Sequence, residues 1–190
     1  DISRGLRGRL RVGFTGSMIY RGLPELLAAL RRRSPDVEAE IFEMNSAEQA
    51  DALKLDDIHV GFLHGSGIPE GLDGFLYRTE PFVACLPGGH GVAQDARERT
   101  IRLAVLANEK FILFARHASP EYYEAIIAIC RSAGFQPKIS VEARHWLSVI
   151  AFVANGAGVA LVPVALTASR IAGVRFVAIP KTPIQSQTWC

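Results

Sequence analysis

The sequence predicts an α/β protein of two small lobes joined by crossing strands, and three observations predict it. Short apolar runs of strand length alternate with stripes of helical period along the chain. A stretch rich in Gly and Pro, His64 to Gly74, interrupts this alternation. A second alternation then starts at Phe111 and runs to Ile179.

Leu10 to Phe14 reads as the first strand, and the small-residue turn Thr15-Gly16-Ser17 follows it. Leu23, Leu26, Leu27 and Leu30 recur at helical spacing, with Pro24 suited to a first turn. This stripe is read as core or oligomer surface. Ser34-Pro35 stops the helix, because a proline disfavours helical geometry in the residue before it. Val37 to Phe42 alternates apolar and acidic residues as a strand does. Ser46 opens the next helix, with Gln49 completing an S-x-x-Q capping box, and that helix ends near Asp56. Ile58 to Phe62 is nearly continuous in apolar character, as expected of a strand covered on both faces. The resulting β-α-β-α-β order implies a doubly wound parallel sheet with right-handed crossovers.

Phe75 to Leu86 gives two strands split by Pro81. Phe111 to Phe114 is a further strand, followed by Ser119 and Pro120 as cap and first residue of a helix whose inward face is Tyr123, Ile126, Ile127 and Cys130. Gly134 ends that helix. Lys138 to Val141 is a strand, Trp146 to Ala154 a helix closed by Asn155-Gly156, and Val159 to Val162 a buried strand. Pro163 opens a short helix, and Val174 to Ile179 returns toward the first lobe. The expected boundaries are a linker remnant over 1–8, a first lobe over 9–82 and 180–190, and a second over 83–179.

Composition excludes several function classes. With 49% hydrophobic and 21% charged residues in 190, the chain has the makeup of a compact folded protein. A formal charge of +2 offers no clustered basic face for a polyanion. Arg4, Arg7, Arg9 and Arg11, broken by Gly5 and Gly8, read as linker rather than as a nucleic-acid contact. Cys85, Cys130 and Cys190 are odd in number and in no ligand spacing, which argues against a disulfide framework and fits a reducing cytoplasm. No apolar run nears the ~18 residues of a membrane span, and Asp1 to Arg11 lacks a signal-peptide core.

Enzymatic constellations are also missing from the pattern. His59, His64, His90, His117 and His145 form no H-x-H or H-E-x-x-H motif, so no metal is expected. Gly65-Ser66-Gly67 is a loop signal rather than a nucleophile elbow. Gly156-x-Gly158 lies between a helix and the next strand, the reverse of a dinucleotide fingerprint, so no cofactor is expected either. No catalytic residue is assigned.

What the pattern does offer is an anion site at strand-to-helix handovers, where free helix N–H groups favour negative charge. Thr15, Gly16 and Ser17 occupy one such handover and Ser46 another. Plain capping is the alternative role for each serine. His64, expected just past the third strand, and Arg116, just past the first strand of the second lobe, could face the same cleft from opposite sides; a solvated Arg116 is the alternative. If His64 lines the cleft, its charge would depend on pH near neutrality, since an unperturbed histidine titrates around 6.5, and anion affinity should fall as pH rises through the histidine pKa.

These residues resemble those of a known family. Gly8-Arg9-Leu10-Arg11-Val12-Gly13, the Leu23-Pro24 helix ending in Ser34-Pro35, Ile58-His59-Val60-Gly61-Phe62 and Gly134-Phe135-Gln136-Pro137 are similar to the effector-binding domain of LysR-type transcription regulators, and so, above all, is Val153-Ala154-Asn155-Gly156-Ala157-Gly158-Val159-Ala160-Leu161-Val162-Pro163. The resemblance covers nearly the whole chain in order. It implies a type 2 periplasmic-binding-protein fold, with two Rossmann-like lobes, a two-strand hinge and an effector in the cleft. It also implies DNA binding through a separate winged helix-turn-helix domain, and assembly as a homodimer or homotetramer.

Within the family, Tyr20-Arg21-Gly22-Leu23-Pro24 and Ile58 to Phe62 look most like the subgroup controlling breakdown of aromatic compounds, whose effectors are small carboxylates such as muconates or benzoates. By position, Ser17 and Ser46 match that subgroup's carboxylate-binding hydroxyls, while His64 stands where those relatives often carry an arginine. The sequence reaches Trp189-Cys190 without the family's usual final helix, so the first lobe is expected to lack part of its cover. A lobe shift on effector binding, coupled to DNA by ~1 to 3 kcal/mol, is the implied mechanism. Two rivals share the scaffold: an exported solute-binding protein of a transporter, and an enzyme.

Overall fold

The computed structural model of the chain describes residues 8–94, 100–180, 182 and 184–190. Arg4, Gly5 and Arg7 of the basic cluster, and the linker remnant apart from Gly8, lie outside the described residues. The chain forms two compact units, 1–78 with 187–190 and 79–186. It therefore passes from one to the other within β4 (Leu76–Glu80) and returns within β10 (Ser186–Trp189). The boundaries expected from sequence, after 82 and after 179, fall beyond the first passage and short of the second.

The first unit is built on β1 (Gly8–Phe14), α1 (Leu23–Arg33), β2 (Val37–Glu43), α2 (Ser46–Lys54) and β3 (Val60–His64). Their strands join β10 and β4 in one sheet of order β2-β1-β3-β10-β4, with β1 parallel to both β2 and β3 and β10 antiparallel to β3. Gly8, read from sequence as linker, is the first residue of β1 and pairs with Val37. Val12, Phe14, Met18, Leu23 and Phe62 form the buried core of this unit.

The leucine stripe of α1, read as core or oligomer surface, is divided: Leu23 is buried whereas Leu26 is 39% exposed. One helix detail departs from the sequence reading. The α2 capping box is Asn45 with Glu48, not Ser46 with Gln49. The Asn45 side chain accepts from Glu48 N–H at 2.9 Å, and Glu48 Oε2 accepts from Asn45 N–H at 2.8 Å. The two overlapping four-residue patterns compete, and the one that wins leaves Gln49 to bury against Gly13 and Gly61. Replacing Asn45 with alanine should cost about 1 kcal/mol, read as a fall of roughly 2 to 4 °C in calorimetric melting temperature.

The second unit begins with the end of β4 and β5 (Phe82–Pro87), then α3 (Gly91–Gln94), β6 (Lys110–Phe114), α4 (Pro120–Ser132), β7 (Lys138–Ala143), α5 (Trp146–Ala154), β8 (Ala160–Pro163) and β9 (Val174–Ala178). β8 and β9 flank β5, both antiparallel to it, and β6 runs parallel to β7. A parallel bridge between Phe111 and Val159 ties the two sheets together.

On α4 the buried face is Tyr122, Ile126, Ile129 and Cys130, not the predicted Tyr123, Ile126, Ile127 and Cys130. Tyr122 turns inward because an aromatic cluster awaits it, 5.0 Å from the Trp146 ring and 6.0 Å from Phe114. Burial pushes the Cys85 and Cys130 thiols up to about 12, so both act as small apolar side chains. Among the described residues, no helix is long and apolar enough to cross a membrane.

Candidate functional site

At the carboxyl ends of β1 and β3 the first unit gathers polar side chains that the flanking strands bury. β1 ends at Phe14, Thr15 follows in an extended conformation, and a tight turn of 3-10 helix spans Gly16–Tyr20. Ser17 is buried within this turn. A Cβ at Gly16 would meet only the Glu43 carboxylate, the end of a side chain that can turn aside. Arg21 closes the turn, and Gly22 takes a left-handed φ of 98° as α1 begins.

His64 is the last residue of β3 rather than a loop residue beyond it, and it is only 7% exposed. Its Nε2 lies 2.7 Å from Thr15 Oγ1, 2.9 Å from Ser17 Oγ and 3.1 Å from an Arg21 guanidinium nitrogen. On the other side of the ring, Nδ1 lies 3.3 Å from Thr188 Oγ1 and 3.4 Å from the Gln187 carbonyl of β10. A guanidinium can only donate and a carbonyl can only accept. The ring is therefore assigned as the neutral tautomer with its proton on Nδ1 and a lone pair on Nε2.

Electrostatics agree with that tautomer. Burial, and then the neighbouring Arg21 charge, hold the His64 pKa well below its usual 6.5, outweighing the Gln187 carbonyl that raises it. The expected charge change near neutrality is thus corrected: in this fold the imidazole is uncharged at pH 7.

Ser46 joins the same cluster by a route other than capping. As first residue of α2 it accepts the His64 backbone N–H on Oγ at 2.9 Å, which leaves its hydroxyl proton available to a partner. The backbone N–H groups at the start of α2 have no acceptor within the helix, and the dipole adds positive potential there.

Thr15, Gly16, Ser17, Ser46 and His64 are thus brought together. Arg116 belongs to the second unit, two-thirds exposed, with Nη2 on Glu124 at 2.7 Å and its guanidinium 5.6 Å from the Tyr123 ring centre. That is the surface role weighed against the binding one. The residues missed were Arg21 and Thr188, each about 1% exposed. One signal did exist for Arg21: it stands four residues after Ser17, within reach across one helical turn.

A separate apolar hollow of about 440 Å³ in the first unit, bordered by Leu53, Val60, Leu63, Ile68, Leu72 and Phe75, shares no residue with this cluster. The other described arginines of the N-terminal basic run are engaged within the unit. Arg9 faces Glu38 and Glu40 at 3.6 and 3.5 Å, and Arg11 donates to the Asp56 carbonyl at 2.6 Å.

Comparison with known proteins meets this geometry. The family described as "LysR substrate binding domain" matches residues 3–190. The chain is 30% identical over 189 residues to the uncharacterized HTH-type transcriptional regulator YnfL of Escherichia coli, covering 99% of this chain and 63% of that protein. It is 31% identical to the HTH-type transcriptional regulator CatR of Pseudomonas putida, covering 94% and 60%. The chain thus spans less than two-thirds of the length of these relatives.

Among solved structures, the BenM effector binding domain with its effector benzoate superposes with a TM-score of 0.84 at 25% identity, over 95% of this chain and 81% of that one. The LysR family regulator CbnR superposes with a TM-score of 0.82 at 27% identity, over 100% and 64%. The parallel β2-β1-β3 core, the handover residues at its edge and the family match over nearly every residue have one conclusion in common. This chain belongs to the LysR substrate-binding-domain family and has its type 2 periplasmic-binding-protein-like α/β fold.

Proposed function

We propose that this chain is the effector-sensing domain of a LysR-type transcription regulator and that it binds a small aromatic or dienoic carboxylate at Thr15, Ser17, Ser46 and His64. One observation carries the proposal. The single Nε2 lone pair of His64 faces two hydroxyls, those of Thr15 and Ser17, beside the Arg21 guanidinium, while the Ser46 hydroxyl is already used as an acceptor. More protons point into the cluster than Nε2 can accept, and a carboxylate, with about four lone-pair sites, would satisfy the surplus.

One relative supports the ligand class and another the link to DNA. BenM, from Acinetobacter baylyi, is 26% identical over 168 residues, and its effector domain is known with benzoate. The full-length relative CbnR is known with its target DNA. On that basis the chain would act in the cytoplasm, within a homodimer or homotetramer, and would reach DNA through a domain outside this sequence. The transporter reading is not favoured, because the curated relatives are named as transcriptional regulators.

Calorimetric titration of the chain with benzoate and with cis,cis-muconate tests the site. Ser17→Ala and Ser46→Ala should each weaken binding by roughly tenfold, the scale of one hydrogen bond to a charged group. Unchanged affinity in both variants removes the proposed site.

A further inference from the structure

We infer that Arg21 is the positioning cation of this site: it holds His64 uncharged, orients the Ser17 hydroxyl that meets a bound anion, and supplies positive charge beside that anion. The inference rests on the carboxylate reading above and assigns the site its charge.

The backbone of Arg21 is held on three counts. Its N–H donates to Met18 O at 3.0 Å, and its carbonyl accepts from Tyr77 Oη at 3.1 Å and from the Arg78 guanidinium at 3.3 Å. The next residue, Gly22, has its Cα so near Tyr77 that a Cβ would lie 3.3 Å from the hydroxyl. The turn is thereby fixed from β4, and the side chain that leaves it can reach only inward, where it is 1% exposed.

One guanidinium nitrogen then serves two acceptors. It donates to Ser17 Oγ and lies 3.1 Å from His64 Nε2. Because it can never accept, it dictates roles to both neighbours. Ser17 receives on its lone pair and directs its own proton elsewhere, and His64 keeps Nε2 unprotonated. A carboxylate arriving at the Thr15, Ser17 and Ser46 hydroxyls thus finds oriented donors and a fixed positive charge in low-dielectric surroundings, where a charge acts more strongly than at the surface. Lysine would keep the charge but not the fixed, planar N–H geometry with which this one nitrogen addresses both acceptors.

The test uses the chain itself with sodium benzoate and muconate, and benzamide as the uncharged isostere of benzoate. Arg21→Gln is expected to weaken carboxylate binding about tenfold to a hundredfold, and Arg21→Lys to recover part of the loss. Benzamide should respond to neither change, and the NMR titration of His64 should move up in Arg21→Gln. If Ser46→Ala weakens binding while Arg21→Gln stays within about twofold of the unmodified chain, the inference falls and the carboxylate reading stands. If neither acid binds the unmodified chain, both fall. Should the Arg21 variants fail to fold, the guanidinium ¹⁵N resonances of the unmodified chain decide: they should shift with benzoate and not with benzamide, and resonances that ignore benzoate overturn the inference.

Discussion

Replacing Gly158 with alanine should destabilise the second unit by about 3 kcal/mol or more, the range reserved for substitutions that force a buried backbone apart. Gly158 has a φ of +155°, and a Cβ there would overlap the Lys110 carbonyl oxygen and stand 3.0 Å from its carbon. That same carbonyl accepts the Val159 N–H at 2.8 Å, and Val159 O in turn accepts the Ile112 N–H at 2.8 Å. These two bonds are the seam where the β6-β7 pair meets the chain entering β8. No flexible side-chain end is involved, so relief requires the strands to separate. Gly156 provides the control. Its φ is +77° with no atom within 4 Å of a built Cβ, so Gly156→Ala should cost only the conformational penalty of about 1 kcal/mol. Urea unfolding of both variants, read by far-UV circular dichroism, measures the difference. Equal losses for the two would show that the approach of Gly158 to Lys110 is not what the Asn155-Gly156-Ala157-Gly158 segment requires.

The contrast between these two glycines also marks what a sequence can and cannot disclose. Gly156 was legible, because a glycine after a helical stripe signals a left-handed terminus. The demand at Gly158 comes from a carbonyl 48 residues earlier (158 − 110 = 48) and has no local signature. Likewise β1 to β3 and α5 were legible, since their apolar runs and stripes follow from strand or helix burial against one core. β10 was missed because its sequence, Ser186-Gln187-Thr188-Trp189, shows no apolar alternation. Its inward side chains are hydroxyls, Ser186 meeting Tyr122 and Thr188 meeting His64, so a polar interior imitates a loop.

The candidate site divides in the same way. Thr15, Ser17 and Ser46 were found because handover turns lie at predictable points in a β-α-β chain, whatever the side chains do there. The role of Ser46 was not predictable, since Asn45 and Ser46 both begin capping patterns and only the fold decides between them. Arg21 was passed over despite its spacing from Ser17, because arginine is so seldom buried that exposure is the sound prior. The burial of that one cation, and of the histidine beside it, changes the pH behaviour of the molecule.

Folding stability should therefore fall on acidification through a window that opens at the ordinary histidine pKa. The folded pKa of His64 lies well below 6.5, so between that value and 6.5 the unfolded chain binds a proton that the folded chain refuses. The contribution is full above about 6.5, is lost at a slope approaching 1.4 kcal/mol per pH unit below it, and levels off once the folded imidazole also protonates. In His64→Gln this dependence disappears, while every other titrating group remains. Urea unfolding of both proteins at intervals from about pH 7.5 to 5, taken as a difference, isolates the single residue. Parallel curves would mean that His64 is hydrated rather than buried against Ser17 and Arg21. Carboxylate binding gives the complementary reading. Because the folded imidazole stays uncharged down to well below 6.5, affinity should be level from about pH 7.5 to 6.5, whereas a surface histidine would make it rise as pH falls through the unperturbed value.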